Sequence, residues 1–156
     1  MSFKYDLNME EEFFQKIFKP YLLGKKYNLI WIYYDENNVV YKDLQKQNDI
    51  DIILDTGEKN ITLSLKTVRK NYKNIFFETI SNCNTMSKGW GYYSKADFII
   101  YTFGYPEKIE SYKFKISDVL KLDIEKYSKG YGQTEGLYKT EGRLIPLCDF
   151  ENMRIL

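Results

Sequence analysis

The sequence predicts an α/β fold in which a mixed central sheet is flanked by helices. The stretch Met9 to Leu23 places its large apolar residues at helical spacing. Three runs with the alternation or composition of strands follow at 50–54, 61–68 and 74–80. A later run, 96–103, is apolar almost throughout, as in a strand buried on both faces. We therefore expect a helix, three strands in a meander, a short connection and a further strand.

The first helix has clear start and stop signals. Acidic residues occupy its first turn, where they complement the helix dipole, and Gly24 ends it. Pro20 interrupts the pattern, so the last turn is expected to kink or the helix to stop near Lys19. Tyr27 to Tyr34 is weakly strand-like, and Asp35 to Gln47 is polar and loop-like.

Two of the strand-like runs carry polar side chains on one face. Asp51 faces away from the apolar residues of its own run. The segment 55–58 contains Gly57 and predicts a hairpin turn. In the next run Ser64 and Lys66 occupy the face opposite the apolar residues, so the two side chains point the same way.

The C-terminal third predicts smaller elements. The segment Tyr112 to Lys115 extends the sheet, and Ser117 to Tyr127 forms a helix with Ser117 as its N-cap. A short strand follows at 143–147.

Composition predicts one soluble domain spanning residues 1–156 in the cytoplasm. The length of 156 residues is enough for one good core. With 23 basic and 22 acidic residues the net charge is +1, so any nucleic-acid-binding surface must be local. No transmembrane stretch or secretion signal is apparent. Cys83 and Cys148 have neither disulfide-framework nor zinc spacing.

The chain contains no histidine, which excludes Ser-His-Asp and Cys-His catalysis. Carboxylate, lysine, tyrosine and metal chemistry remain. Oxygen ligands without imidazole or thiolate favour Mg²⁺ or Mn²⁺ over zinc.

Three segments carry a resemblance to a known family: 43–51 (DLQKQNDID), 77–82 (FETISN) and 89–97 (GWGYYSKAD). In order and spacing they resemble the PD-(D/E)XK, or restriction-endonuclease-like, nucleases, in particular small phage-type and Holliday-junction-resolvase-like members. The resemblance covers residues 9 to 103 and implies an αβββαβ core. It also implies a site in which acids hold a metal ion and a lysine handles the water.

Residue by residue, the resemblance implies specific roles. Asp51 matches the first metal-binding acid, with Ile50 in place of the motif proline and Asp49 as the rival acid. Lys66 matches the motif lysine, which orients or helps to deprotonate water. Ser64 stands where the second acid is expected and is a weaker ligand for a hard cation.

Glu78 is the expected replacement for that acid. Some restriction enzymes of this family read Ser-x-Lys and take the missing carboxylate from a later glutamate. We expect an antiparallel neighbouring strand to carry Glu78 back beside Ser64. Related resolvases add a glutamate from the first helix as a metal ligand, which here would be Glu10 or Glu11.

The function implied is a Mg²⁺-dependent endonuclease that hydrolyses DNA, double-stranded or branched, with Asp51, Glu78 and Lys66 catalytic. Resolvases act as dimers, so a homodimer is expected. The local phosphate-contacting surface would consist of basic side chains: Arg69, Lys70, Lys73 and Lys95. The alternative is an inactive nuclease-fold protein that binds nucleic acid or inhibits a host defence system. A structural subunit of a larger nuclease complex is a third reading.

Overall fold

The computed structural model describes residues 9–35, 41, 43–134 and 138–156. The described residues form these strands: β1 (Asn28–Ile32), β2 (Ile52–Asp55), β3 (Asn60–Val68), β4 (Asn74–Asn82), β5 (Ser87–Lys88), β6 (Phe98–Phe103), β7 (Glu110–Phe114), β8 (Lys129–Thr134) and β9 (Tyr138–Pro146). They also form these helices: α1 (residues 9–24), α2 (Leu44–Asn48), α3 (Trp90–Tyr93) and α4 (Ile116–Leu120), with 3₁₀ turns at Ile124–Lys126 and Leu147–Met153. The chain is therefore a mixed α/β protein, as its sequence predicts.

The strands lie in two sheets. The first sheet has the order β1-β2-β3-β6-β7, and all its pairs are antiparallel except β3 and β6, which run parallel. The second sheet has the order β5-β4-β9-β8 and is antiparallel. The antiparallel meander is thus β1-β2-β3. The predicted meander, which continued from β3 into the run at 74–80, is wrong, because β4 leaves that sheet and pairs with β9.

Helix α1 covers one face of the first sheet. Its fully buried Phe13, Phe14 and Phe18 pack with apolar residues of β2 and β3, including Leu63 and Leu65. A π-helical turn, Phe14–Phe18, precedes Pro20, and the helix continues to Gly24 rather than stopping near Lys19. Because a π turn already departs from the α-helical bonding pattern, the chain passes the proline without ending the helix.

The opposite face of the first sheet packs against the second sheet. Phe77 of β4 and Ile145 of β9 are fully buried with Tyr101 and Phe103 of β6 in one apolar cluster. Strand β6 is buried along Ile99 to Phe103, which confirms the prediction that this run is covered on both faces.

Two further sequence predictions change. The helix predicted for Ser117 to Tyr127 is the short α4 followed by a 3₁₀ turn, and its N-cap is Lys115 rather than Ser117. The segment predicted as a loop from Asp35 to Gln47 contains α2, while residues 36–40 and 42 lie outside the described residues. Among the described residues, none of the helices has the length or apolar character needed to cross a membrane.

Candidate active site

Two acids stand where α2 turns into β2. Asp49 ends α2 in the left-handed backbone conformation, with φ 54° and ψ 43°. Aspartate visits this conformation more readily than most residues. The turn buries Ile50 against Trp31 of β1, and it leaves the carboxylate-bearing residues Asp49 and Asp51 only 6% and 3% exposed. Both acids are therefore fixed in the interior at the start of a strand.

Ser64 joins the two acids. Its hydroxyl lies 2.9 Å from Oδ2 of Asp49 and 3.4 Å from Oδ2 of Asp51. Asp51 also accepts hydrogen bonds from the backbone N–H of Leu65, at 2.6 Å, and from Nε2 of Gln45, at 2.9 Å. Ser64 is fully buried, so its hydroxyl serves this acid pair and not solvent. Ser64 thus stands where the sequence predicts an acid, and its hydroxyl lies within hydrogen-bond distance of both aspartates.

Lys66 lies beside the same pair. Its Nζ donates to Oδ1 of Asp49 at 2.6 Å and lies 5.5 Å from the ring centroid of Trp90. Burial acts to lower the pKa of Lys66, but the carboxylates of Asp49 and Asp51 outweigh it and raise the pKa overall. Lys66 is therefore an ammonium at neutral pH, suited to donating hydrogen bonds and unsuited to accepting a proton.

Glu10 approaches this group from helix α1. Burial, and next the Asp51 carboxylate, raise the pKa of Glu10 to about 8. The buried Tyr33 hydroxyl lies beside Glu10 and acts to lower that pKa, which partly offsets the rise. Glu11, the alternative to Glu10, adds to the effect of burial in raising the pKa of the Tyr34 and Tyr33 hydroxyls. The helix-1 acid that faces Asp51 is thus Glu10.

Glu78 reaches the site from the second sheet. The expectation that an antiparallel neighbour of β3 carries it back beside Ser64 is wrong, because β4 and β3 belong to different sheets. Its Oε1 accepts a hydrogen bond from the backbone N–H of Trp90 at 3.3 Å. Burial raises the pKa of Glu78, and the nearby charge of Lys66 partly offsets that rise. Glu78 therefore lies close enough to Lys66 for their charges to interact.

A close backbone contact between Gly89 and β4 fixes the position of Trp90. A Cβ at Gly89 would lie only 2.5 Å from the carbonyl oxygen of Glu78. Glycine thus allows α3 to begin directly against β4. As a result the Trp90 N–H donates a hydrogen bond to the Glu78 carboxylate, and the Trp90 ring lies near Lys66.

The predicted phosphate-contacting residues fall into two places. Arg69, Lys70 and Lys73 lie in the turn between β3 and β4, where Lys70 and Lys73 are exposed. Lys95 is exposed between α3 and β6, and its backbone N–H donates to the carbonyl of Asn48, the residue before Asp49. Basic residues therefore follow Lys66 along the chain and also lie beside Asn48, next to Asp49. Asp49, Asp51, Ser64 and Lys66 are together called the acid-lysine group.

The sequence signals differ for the residues of this site. Asp49 could be found because it lies two residues before Asp51, the spacing at which strand residues share a face. Gln45 and Trp90 carry no such signal, since Gln45 lies in a polar helix and Trp90 reaches Lys66 through tertiary packing.

The donor set fits a small hard cation held by few protein ligands. Among the described residues, no group of three or more His, Cys, Asp or Glu side chains is close enough to hold a metal ion. Asp49 and Asp51, however, converge on one hydroxyl. Mg²⁺ is commonly bound by one or two carboxylates, with waters and substrate phosphate oxygens completing its shell.

These contacts are the basis for any assignment of function, because no known family model, curated protein or solved structure matches the chain.

Proposed function

We propose that this protein is a Mg²⁺-dependent endonuclease with a restriction-endonuclease-like core that hydrolyses DNA phosphodiester bonds. The order of elements supports the core: helix α1, the antiparallel strands β1, β2 and β3, and then β6 parallel to β3. This order resembles the αβββαβ core. Strands β4 and β5 and the single turn α3 stand where that core has its second helix.

The observation that carries the proposal is the convergence of Asp49 and Asp51 on Ser64, with Lys66 paired to Asp49. Ser64 lacks the carboxylate that the resemblance implies at its position. The Asp49 carboxylate instead accepts a hydrogen bond from the Ser64 hydroxyl. The pair of acids needed near the lysine is thus present, with Asp49 as the second acid in place of the Glu78 that the sequence predicts.

The chain's own groups have distinct tasks in this proposal. A bound Mg²⁺ or Mn²⁺ would supply Lewis acidity and a nucleophilic water. Asp49 and Asp51 would hold the ion, and Glu10, whose pKa the Asp51 carboxylate helps to raise, is a further acid beside them. Lys66 spends one of its three donors on Asp49 and keeps others for a phosphate oxygen or the attacking water. Burial raises the pKa of Glu78 as it does that of Asp51, and Glu78, which does not hold the ion in this proposal, would accept the proton.

A cleavage assay tests the proposal. Labelled duplex, single-stranded and four-way-junction DNA would each be incubated with Mg²⁺ or Mn²⁺, the junction being included because of the resolvase resemblance. Lys66→Ala, Asp51→Asn and Asp49→Asn should each slow cleavage by about 100-fold or more. Lys121→Ala is the matched control, since that side chain is 78% exposed and forms a local ion pair with Asp118. Wild-type protein that cuts no better than the site variants would contradict the proposal.

The same contacts favour a second candidate, a nuclease-fold protein that binds without cutting. The ion pair of Lys66 with Asp49 and the hydrogen bonds on Asp51 satisfy these groups within the protein. Such a protein would bind nucleic acid or inhibit another protein, for example a host defence system. It would give no cleavage in the assay above, and any DNA affinity would be the same with Mg²⁺ and with EDTA.

A further inference from the structure

A cleft lined by aromatic rings adjoins the acid-lysine site. Its volume is about 480 Å³, and it lies between the far ends of β3 and β6 and the strands of the second sheet. Its aromatic walls come from three different strands and one turn: Tyr72, Phe76, Tyr101, Phe103 and Tyr131. The cleft has ample room for one nucleobase or a stacked pair of bases.

The strand register places this cleft next to Lys66. Lys66 and Val68 share a face of β3 and lie about 7 Å apart along it. Their partners on β6 are Tyr101 and Phe103, respectively. Val68, Tyr101 and Phe103 line the cleft. A nucleotide whose phosphate lies at Lys66 would therefore have the cleft within reach of its own base or of a neighbouring base.

The mouth of the cleft pairs exposed rings with cations. Tyr72 is 58% exposed and Tyr131 is 55% exposed. Lys70 Nζ lies 5.4 Å from the ring centroid of Tyr72, and Lys139 Nζ lies 3.8 Å from that of Tyr131. Stacking rings beside lysines form the surface by which proteins hold single-stranded nucleic acid, with bases on the rings and phosphates on the cations.

Part of the wall carries no side chains. Gly130 and Gly132 of β8 line the cleft, and a Cβ on Gly130 would lie 2.6 Å from Cδ2 of Leu144, another lining residue. Glycine at this place leaves the cleft open where any larger residue would intrude. The open wall and the rings together accommodate a flat aromatic ligand.

We propose that this cleft binds an unstacked base of single-stranded DNA beside the phosphate at Lys66. The inference rests on the proposed function, because it takes the acid-lysine group as the place where the phosphate lies. A base within a duplex is stacked on both faces and cannot enter such a cleft without leaving the helix. The substrate of this protein is then DNA with unpaired nucleotides at the cut.

The test measures binding apart from cleavage. A short oligothymidylate containing one 2-aminopurine would be titrated with protein in EDTA, by anisotropy and by quenching of the 2-aminopurine. Tyr72→Ala and Tyr131→Ala should each weaken binding by about 10-fold or more and reduce the quenching. Tyr72→Phe and Tyr131→Phe keep the rings and should bind like wild type. Leu120→Ala, another exposed apolar residue, is the control.

Two further ligands sharpen the result. Duplex DNA of matched length should bind more weakly than the single strand and respond little to the tyrosine variants. A ribo-oligonucleotide that binds better than the DNA would overturn DNA as the ligand. Unchanged affinity of both alanine variants, with melting curves that show them folded, would overturn the cleft itself. Binding is measured without metal. Absence of cleavage together with intact quenching would therefore contradict the proposed nuclease activity and leave the base-binding cleft supported.

Discussion

At the scale of single residues, Asp49 determines how the acids are arranged. Its left-handed backbone joins α2 to β2, and its side chain accepts from both Ser64 and Lys66. Non-glycine residues in this conformation are uncommon and occur disproportionately at functional sites. Asp51, by comparison, is held by the Leu65 N–H and by Gln45. The two acids share the Ser64 hydroxyl and are otherwise fixed by different donors.

Metal binding should depend on Asp49. Titrating wild-type protein with Mn²⁺ should raise its Tm, because a ligand that binds only the folded state stabilises it. Asp49→Asn removes a charged ligand and should abolish most of that rise. Asp118→Asn, which changes a carboxylate on the surface, should leave the rise intact. An equal rise in Asp49→Asn would show that Asp49 is not a metal ligand.

The raised pKa of Glu10 should appear in the pH dependence of stability. Its pKa rises from 4.5 to about 8 on folding, so the folded protein keeps a proton that the unfolded chain releases. Stability is full below pH 4.5 and falls as the pH approaches 8, by at most about 1.4 kcal/mol per pH unit from this group. Urea unfolding in EDTA measures it, and Glu10→Gln should flatten this part of the profile. Stability profiles with the same slope in the wild type and in Glu10→Gln would contradict a raised pKa of Glu10.

At the scale of elements, the hairpin of β2 and β3 connects the acids with Ser64 and Lys66. Its turn uses Gly57 at φ 89°, and the Asp55 carboxylate accepts a hydrogen bond from the Gly57 N–H at 2.7 Å. The sequence predicts this turn from the same glycine, and the structure confirms it.

Two glycines make a matched pair for testing that turn. Gly57→Ala should destabilise the protein by about 1 kcal/mol or more, because alanine is strained at positive φ. Gly24→Ala, at the end of α1 and with nothing within 4 Å of an added Cβ, should be neutral or slightly stabilising. The free energy of unfolding from urea titration measures both. A loss at Gly24 as large as at Gly57 would argue against backbone strain as the cause.

The strands were largely predictable from the sequence, whereas their partners were not. Alternation and β-branched composition locate β2, β3, β4 and β6 to within a few residues. Alternation reports which face is buried and carries no information about the neighbouring strand. Strand β4 pairs with β9, whose first residue, Tyr138, lies far along the chain, so nothing near β4 indicates its sheet. For this reason the sequence predicts β3 as the neighbour of β4, and so the wrong route by which Glu78 reaches the site.

The short helices were harder for a related reason. Helices α2 and α3 contain five and four residues, respectively. Such short segments have no full apolar period to detect, and tertiary contacts hold them. The parts of the site that depend on them, Gln45 and Trp90, were therefore missing from the sequence prediction.

At the scale of the whole molecule, the two sheets share a core. Phe77 of β4 packs on Trp90 with ring centroids 5.2 Å apart, and Trp90 in turn lies 6.4 Å from Tyr101 of β6. The acid-lysine group lies beside these rings, so its geometry depends on both sheets remaining packed together. That the chain is one domain stays a prediction.

The two tryptophans allow that prediction to be tested. Trp31 is buried in the first sheet, and Trp90 packs at the junction of the sheets. Trp31→Phe and Trp90→Phe each leave one fluorescent reporter. One cooperative domain should give, within each variant, the same urea midpoint by fluorescence and by circular dichroism. Fluorescence and circular dichroism midpoints that differ within either variant would mean that the sheets unfold separately.

The pairing of β4 with β9 also sets an order of assembly during synthesis. The strands of the β1-β2-β3-β6-β7 sheet end at Phe114, so they leave the ribosome first and can pair before β9 has emerged. Strand β4 must wait for β9 before its long edge is covered. Strand β4, which carries Glu78, therefore obtains its partner last, after the strands that hold Asp51, Ser64 and Lys66 have formed their sheet.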